Sequence, residues 1–173
     1  MNSSEPWGAA LYGDPCRECR FDWAISPEDA ITLTANIPDR YRMLLANANG
    51  YERHPNLSWN ASAYVSHVAD NLRMWAERLE GIRISGQRRA PGYDQDLLAE
   101  ARHYNEIDKA AALWALDHAV TLWVESVSRA LALGLEMDHA TRGLQTAPDI
   151  ARNNTHDAYH HGWDIERILG HRP

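Results

Sequence analysis

The chain is short of lysine. Lys109 stands alone among 17 basic residues, the rest being arginine. Phenylalanine is equally scarce, with Phe21 alone against seven tryptophans. Cysteine occurs only as Cys16 and Cys19, which excludes a disulfide-rich scaffold. Positive charge is not in excess: 17 basic against 24 acidic residues leave a net charge of −7. Such a chain gains no counterion-release affinity for phosphate backbones, so nucleic acid is not an expected partner. Long apolar runs are missing as well. The longest, Ala110 to Leu116, is far short of the ~20 residues a membrane span needs, so no membrane partner is expected either. The opening segment MNSSEPWGAALYGD has neither a basic n-region nor an apolar h-region. No secretory signal is read there, and a cytoplasmic location is the expectation. Among catalytic signatures, GxSxG, GxGxxG and phosphate-cradling glycine loops are all lacking.

What remains is an ordinary globular composition. The 173 residues are 45% hydrophobic and 24% charged, which suits one domain with a sizeable core. The arginine bias and abundant alanine point to a GC-rich bacterial genome as the source.

Residues 1–25 have no clear periodicity and contain Pro6, Gly8, Gly13 and Pro15. They read as an arm packed on the domain, since Trp7, Phe21 and Trp23 are poorly left in water. The remainder, 26–173, reads as one helical domain. Ser26, Pro27, Glu28 and Asp29 predict a helix start, with a kink at Pro38 and an end at Asn49-Gly50. A second helix is predicted from Ser58 to about Leu79, on the stripe Val65, Val68, Leu72, Trp75 and Leu79, with Gly81 stopping it. Residues 81–104 form a long connection, with a short helix expected over Asp94 to His103. The third helix is expected from Ile107 to Leu133, ended by Gly134. The fourth starts near Pro148-Asp149 behind a Thr146 cap and stops at Gly170. No segment alternates as a strand would, so no sheet is expected. The expected fold is all-α: a four-helix bundle with a long crossover between helices 2 and 3.

The richest stretch for chemistry runs from Asn153 to Asp164. His156 and His160 are four residues apart, so on a helix both rings reach one ion. His161 lies about 140° around the helix from His156 and is expected to stay out of that pair. Asp164, four beyond His160, is placed to hold its distal nitrogen. The His face is not the apolar stripe of Ala151, Ala158, Ile165 and Leu169, so a buried metal there needs a cover or a pocket. The best third ligand is His67 on helix 2, beside Tyr64 and Asn71, with His118, His54 and His103 as rivals. Trp75, Trp114, Trp123, Tyr159 and Trp163 either line an apolar pocket or simply pack the core. Cys16 and Cys19 have three open readings: half of a second metal site, a redox dithiol, or two reduced thiols without chemistry.

Two segments then resemble a known family. Ser66-His67-Val68-Ala69-Asp70-Asn71 resembles the helix 2 motif of the DinB-like superfamily, and His156-Asp-Ala-Tyr-His160-His161-Gly162 resembles the HxxxH-x-G element of its last helix. The segment Asp14-Pro-Cys-x-x-Cys-x-Phe-Asp22 is also similar to an extension on some bacterial relatives. The resemblance spans about residues 26 to 170, in the same helix order. It implies a divalent metal, Zn2+ or Ni2+, on His67, His156 and His160, with an open position. Asp164 and Asn71 would support the ligands, and Tyr64, Tyr159 and Trp163 would form the substrate pocket. Gly162 stands where the related iron enzymes carry a glutamate, which argues against iron, and Trp163 replaces a usual glutamine. Relatives include mycothiol- and bacillithiol-dependent transferases and a maleylpyruvate isomerase. The resemblance thus implies a thiol transferase or isomerase, with mycothiol as cosubstrate and a small electrophilic substrate. The other readings are a metal-binding stress or ligand-binding protein without turnover, and a metal-free bundle acting through partners. Members of the superfamily often pair, so a homodimer is in keeping with it, although the sequence shows no seam.

Overall fold

The computed structural model describes residues 5–171. Residues 1–4 of the expected arm, which begin the MNSSEPWGAALYGD segment, and 172–173 of the expected bundle lie outside the described residues. The arm carries a short helix, α1 (Ala9–Tyr12), and is otherwise built from turns. Next come α2 (Pro27–Ala35) and α3 (Ile37–Leu44), which together make the first arm of the bundle. Ser26 Oγ accepts the Asp29 N–H at 3.0 Å, as a cap should. The predicted kink at Pro38 is a full break at Asn36. Proline lacks the N–H that would bond the Thr34 carbonyl and its ring crowds that group, so the helix stops and restarts with Pro38 in its first turn.

The longest helices are α4 (Ala61–Ser85) and α6 (Lys109–Leu133), and α7 (Ala147–Ile168) completes the bundle. Asn60, rather than Ser58, caps α4, taking the Ala63 N–H at 2.8 Å. Gly81 does not stop that helix; Gly86 does, in the left-handed conformation with φ 71°. Gly81 is exposed, where a helical glycine costs about 1 kcal/mol, and burial of Ile82 one residue on offsets this. Asp108 caps α6 and Gly134 ends it, while Thr146 and Asp149 form a reciprocal capping box on α7.

The crossover holds α5 (Gln95–Ala101), capped by Asp94, and a 3-10 turn at Tyr104–Glu106. Contrary to expectation there is a small sheet. β1 (Arg89–Ala90) runs parallel to β2 (Glu136–His139), which pairs antiparallel with β3 (Gly143–Thr146). Strands of two and four residues are too short to display alternation in the sequence. The sheet ties the crossover to the α6–α7 connection, and both then wall one side of the bundle.

The core is filled by Leu72 and Leu79 of α4, Leu116 and Trp123 of α6, and Ile150 and Ile165 of α7, all buried. Trp123 is core: its N–H donates to Asn154 Oδ1 at 2.9 Å. Trp114 is 65% exposed and is not core. No helix among the described residues is long and apolar enough to cross a membrane. The crossover is anchored by Asp70, a buried carboxylate of α4 that accepts from Tyr104 Oη at 2.6 Å, from Arg73 at 3.0 Å and from Arg102. Replacing Asp70 by Ala leaves the buried Tyr104 hydroxyl without a partner. A loss of about 2 kcal/mol in unfolding free energy is expected, read as a lower urea midpoint at unchanged slope.

Candidate metal centre

Helix α7 presents four ligand-type side chains within six residues: His156, Asp157, His160 and His161. At about 100° per residue, the pairs 156/160 and 157/161 point to two different sides. The helix is flanked on those two sides, by α4 and by the arm, and the result is two separate clusters. His67, Asp157 and His161 bring one ligand atom each to within 4.8 Å of one another; Cys16, Cys19, His156 and His160 do the same. The set expected from the sequence is therefore regrouped. His67 does not meet His156 and His160, and His161, expected to stand aside, is its partner. His54, His103 and His118 belong to neither cluster.

The first cluster is built from α4 and α7. His67 Nε2 lies 3.6 Å from Asp157 Oδ2, and His161 Nε2 lies 3.6 Å from Asp157 Oδ1. Asn71, one turn beyond His67 on α4, donates to Asp157 Oδ2 at 2.8 Å and so orients the carboxylate. His161 Nδ1 is 2.9 Å from Asp164 Oδ2. A carboxylate only accepts, so Nδ1 carries the proton and Nε2 is directed at Asp157. Asp164 thus supports His161, while its approach to His160 Nε2 is a loose 3.9 Å. Trp59 and Tyr64 pack their rings on His67 and His161, with centroids 5.1 Å apart in each pair.

The electrostatics of this cluster call for a cation. Burial opposes the charge on Asp157, yet His161, His67 and Asn71 hold its carboxyl well below the usual range. Burial likewise pulls the His161 imidazole down, and Asp157 with Asp164 outweighs it and raises the ring above its ordinary value. His67, 2% exposed, leaves Nε2 buried without a hydrogen-bond partner. A buried polar atom is rarely orphaned, and one aimed at a carboxylate and a second imidazole fits a divalent ion. Two nitrogens and one oxygen fill three positions and leave others open.

Asn71 and Asp157 also line a cleft of about 730 Å³, so the cluster borders it. The cleft is walled by Trp75 and Arg78 of α4, Tyr93 of the crossover, and His139 and Arg142 of the β2–β3 hairpin. Arg78 Nη2 donates to the Pro91 carbonyl at 2.6 Å, but its Nη1 is buried without a partner, as is Nη1 of Arg142. Burial, followed by Arg142 and Arg78, pushes His139 down to about 4, so its ring is neutral at ordinary pH. None of these wall residues except Trp75 stands out in the sequence. They come from three segments that only the tertiary fold brings together.

The second cluster lies on the arm side. Cys16 Sγ is 4.0 Å from His160 Nδ1. His156 is enclosed by Tyr12 and Trp23, both with ring centroids 4.5 Å away, and its Nε2 is buried without a partner. Burial, with the neighbouring His160, pushes His156 down to about 4; burial and His161 lower His160. Burial also raises the Cys19 thiol, to about 12. Of the expected substrate-pocket residues, Tyr64 sits at the first cluster. Tyr159 and Trp163 pack with the arm instead, beneath the guanidinium groups of Arg40 and Arg167 at 4.5 and 4.7 Å. Gly162 serves packing: a Cβ there would lie 3.1 Å from Tyr41 Cε1 and from Arg40 Cζ.

Known proteins were compared with this arrangement in three ways. No family model matches the chain, and no curated protein matches it in sequence. Among solved structures it is similar to YfiT from Bacillus subtilis, with a TM-score of 0.68 over 83% of this chain and 87% of that one, at 15% identity. That protein is described as "a probable metal-dependent hydrolase with an unusual four-helix bundle topology". The chain shares the four-helix bundle fold of that protein. The expected all-α four-helix bundle holds, with the small sheet as a minor addition, and the residues present fit a divalent metal.

Asp164→Asn keeps the size of the side chain and removes the charge that holds His161 Nδ1–H. A 10–100-fold weaker affinity for one divalent ion, roughly, is expected, measured by chelator competition with unchanged circular dichroism.

Proposed function

We propose that the protein is a metal-dependent enzyme whose reactive ion is held by His67, Asp157 and His161, and whose substrate is a small anionic electrophile bound in the adjoining cleft. The partnerless, buried Nε2 of His67, converging with Asp157 and His161 on the cleft wall, carries this reading. When bound, a divalent ion with open positions acts as a Lewis acid and lowers the pKa of a water or thiol. Compared with three imidazoles, the Asp157 carboxylate makes the donor set harder. Zn2+ and Ni2+ remain the expected ions, and Mn2+ or Fe2+ become admissible.

The chain's own residues do the rest. Arg78 and Arg142 each offer a buried N–H without a partner, so a carboxylate or phosphate on the substrate would satisfy them. Asn71 fixes Asp157, and Asp164 fixes His161. Neutral His139 takes no charge from the anion and leaves the two guanidinium groups as the cationic wall. The volume of the cleft accommodates a thiol cosubstrate beside a small electrophile. Thiol transfer or isomerisation with a mycothiol-type thiol is therefore the favoured reaction. In transfer, sulfur bonds to the electrophilic carbon, the leaving group departs with its electron pair, and the thiol proton is released. The description of YfiT favours hydrolysis as the second reading.

The test is a panel of low-molecular-weight thiols against electrophiles with and without a carboxylate, on metal-reconstituted protein, with products identified by mass spectrometry. An adduct that requires both metal and thiol supports transfer, and a thiol-independent product supports hydrolysis. Bound metal with no turnover across the panel would return the protein to a binding role. The His67→Ala/His161→Ala double substitution should abolish turnover. Arg142→Ala should keep the metal and raise KM for the carboxylated substrate roughly 10–100-fold, leaving its neutral counterpart unaffected.

A further inference from the structure

We propose that Cys16, Cys19, His156 and His160 form a second, closed metal site of zinc type that clasps the N-terminal arm to α7. The four donors, two sulfurs and two nitrogens, gather within 4.8 Å. A tetrahedral ion with bonds of about 2.0–2.3 Å sets its ligand atoms about 3.3–3.8 Å apart, so the donors would draw in by about 1 Å. Three of the four residues are buried outright, and His156 keeps a buried Nε2 with no other partner. His160 turns Nδ1 toward Cys16, while its Nε2 lies 3.5 Å from Glu18 Oε2, the carboxylate contact that metal-bound imidazoles use on their far side.

The turn carrying the cysteines is shaped for ligation. Arg20 N–H donates to the Cys16 carbonyl at 3.0 Å, and Cys16 N–H to the Phe21 carbonyl at 2.9 Å. Arg20, directly after the second cysteine, is held at φ 65°, a left-handed conformation that a side chain with a Cβ adopts only under strain. Such strain persists where the surroundings impose it.

Closure separates this site from the reactive one. Its four positions are filled by protein, and the rings of Tyr12, Phe21 and Trp23 pack around His156 with centroids within 5.4 Å. Its role is structural. Among its described residues the arm has one helix of four residues and no strand, so little regular backbone bonding holds them. The arm nevertheless contributes Glu5 to the wall of the substrate cleft, with Glu5 N–H bonded to the Thr141 carbonyl at 2.8 Å. A clasp at Cys16 and Cys19 therefore fixes one wall of the reactive cleft.

The experiment uses the full chain. Metal content is measured by mass spectrometry, and the protein is reconstituted with Co2+ for absorption spectroscopy. Two ions per chain are expected, with an intense sulfur-to-cobalt charge-transfer band and tetrahedral d–d bands. Cys16→Ser/Cys19→Ser should lose one ion and the charge-transfer band. His67→Ala/His161→Ala should lose the other ion and keep that band, so failure of either site is seen separately. In the wild-type protein, alkylation of both thiols should be blocked until a chelator is added, a readout that does not depend on the variants folding. Three results would each overturn the clasp: no charge-transfer band in the wild-type cobalt form, thiols alkylated equally fast with and without metal, or a Cys16–Cys19 disulfide in protein purified under reductant.

Discussion

The molecule depends on the pitch of one helix. Because α7 turns about 100° per residue, two pairs of ligand-type side chains offset by a single residue look in different directions. Asp157 and His161 face α4 and His67, while His156 and His160 face the arm and its cysteines. One helix thus contributes to both clusters. Its rotation is fixed on three sides: by Ile150 and Ile165 in the core, by the Tyr41 hydroxyl bonded to the Ala158 carbonyl at 2.6 Å, and by the close approach of α3 at Gly162.

Charge distribution explains why the two sides differ. The α4 side carries two carboxylates, Asp157 and Asp164, among two imidazoles, and its demand for positive charge is visible in the raised His161 and the lowered Asp157. It borders open space. The arm side is wrapped in aromatic rings, and its imidazoles are driven neutral by burial. A carboxylate-bearing site beside a cleft and a buried site with two cysteines differ in the way that reactive and structural metal sites do.

The cleft is assembled from parts that are far apart in the chain. Arg78 comes from α4, Tyr93 from the crossover, Arg142 from the hairpin and Glu5 from the arm. The small sheet is what holds two of these parts in register, since β1 of the crossover pairs with β2 of the hairpin. Insertions in the crossover or the hairpin would therefore reshape the cleft while leaving the bundle and the clustered side chains of α4 and α7 in place.

Much of the fold was legible in the sequence because it rests on local rules. Ser26 and Thr146 cap helices because their side chains satisfy the first N–H groups, and Gly134 ends one by adopting a left-handed turn. The i, i+4 spacing of His156 and His160, and equally of Asp157 and His161, is a local fact as well. A helical wheel gives only relative angles, so it could not tell which pair turns toward His67. That depends on how α7 is rotated against α4 and the arm, which long-range packing decides. The same limit placed Tyr159 and Trp163 with the arm instead of the cleft, carried α4 past Gly81 to bury Ile82, and formed strands too short to leave a pattern. Helices and ligand spacings follow from contacts within a few residues. The partners of those ligands are set by contacts between residues 86 to 144 apart, and only the folded chain brings Cys16 to His160.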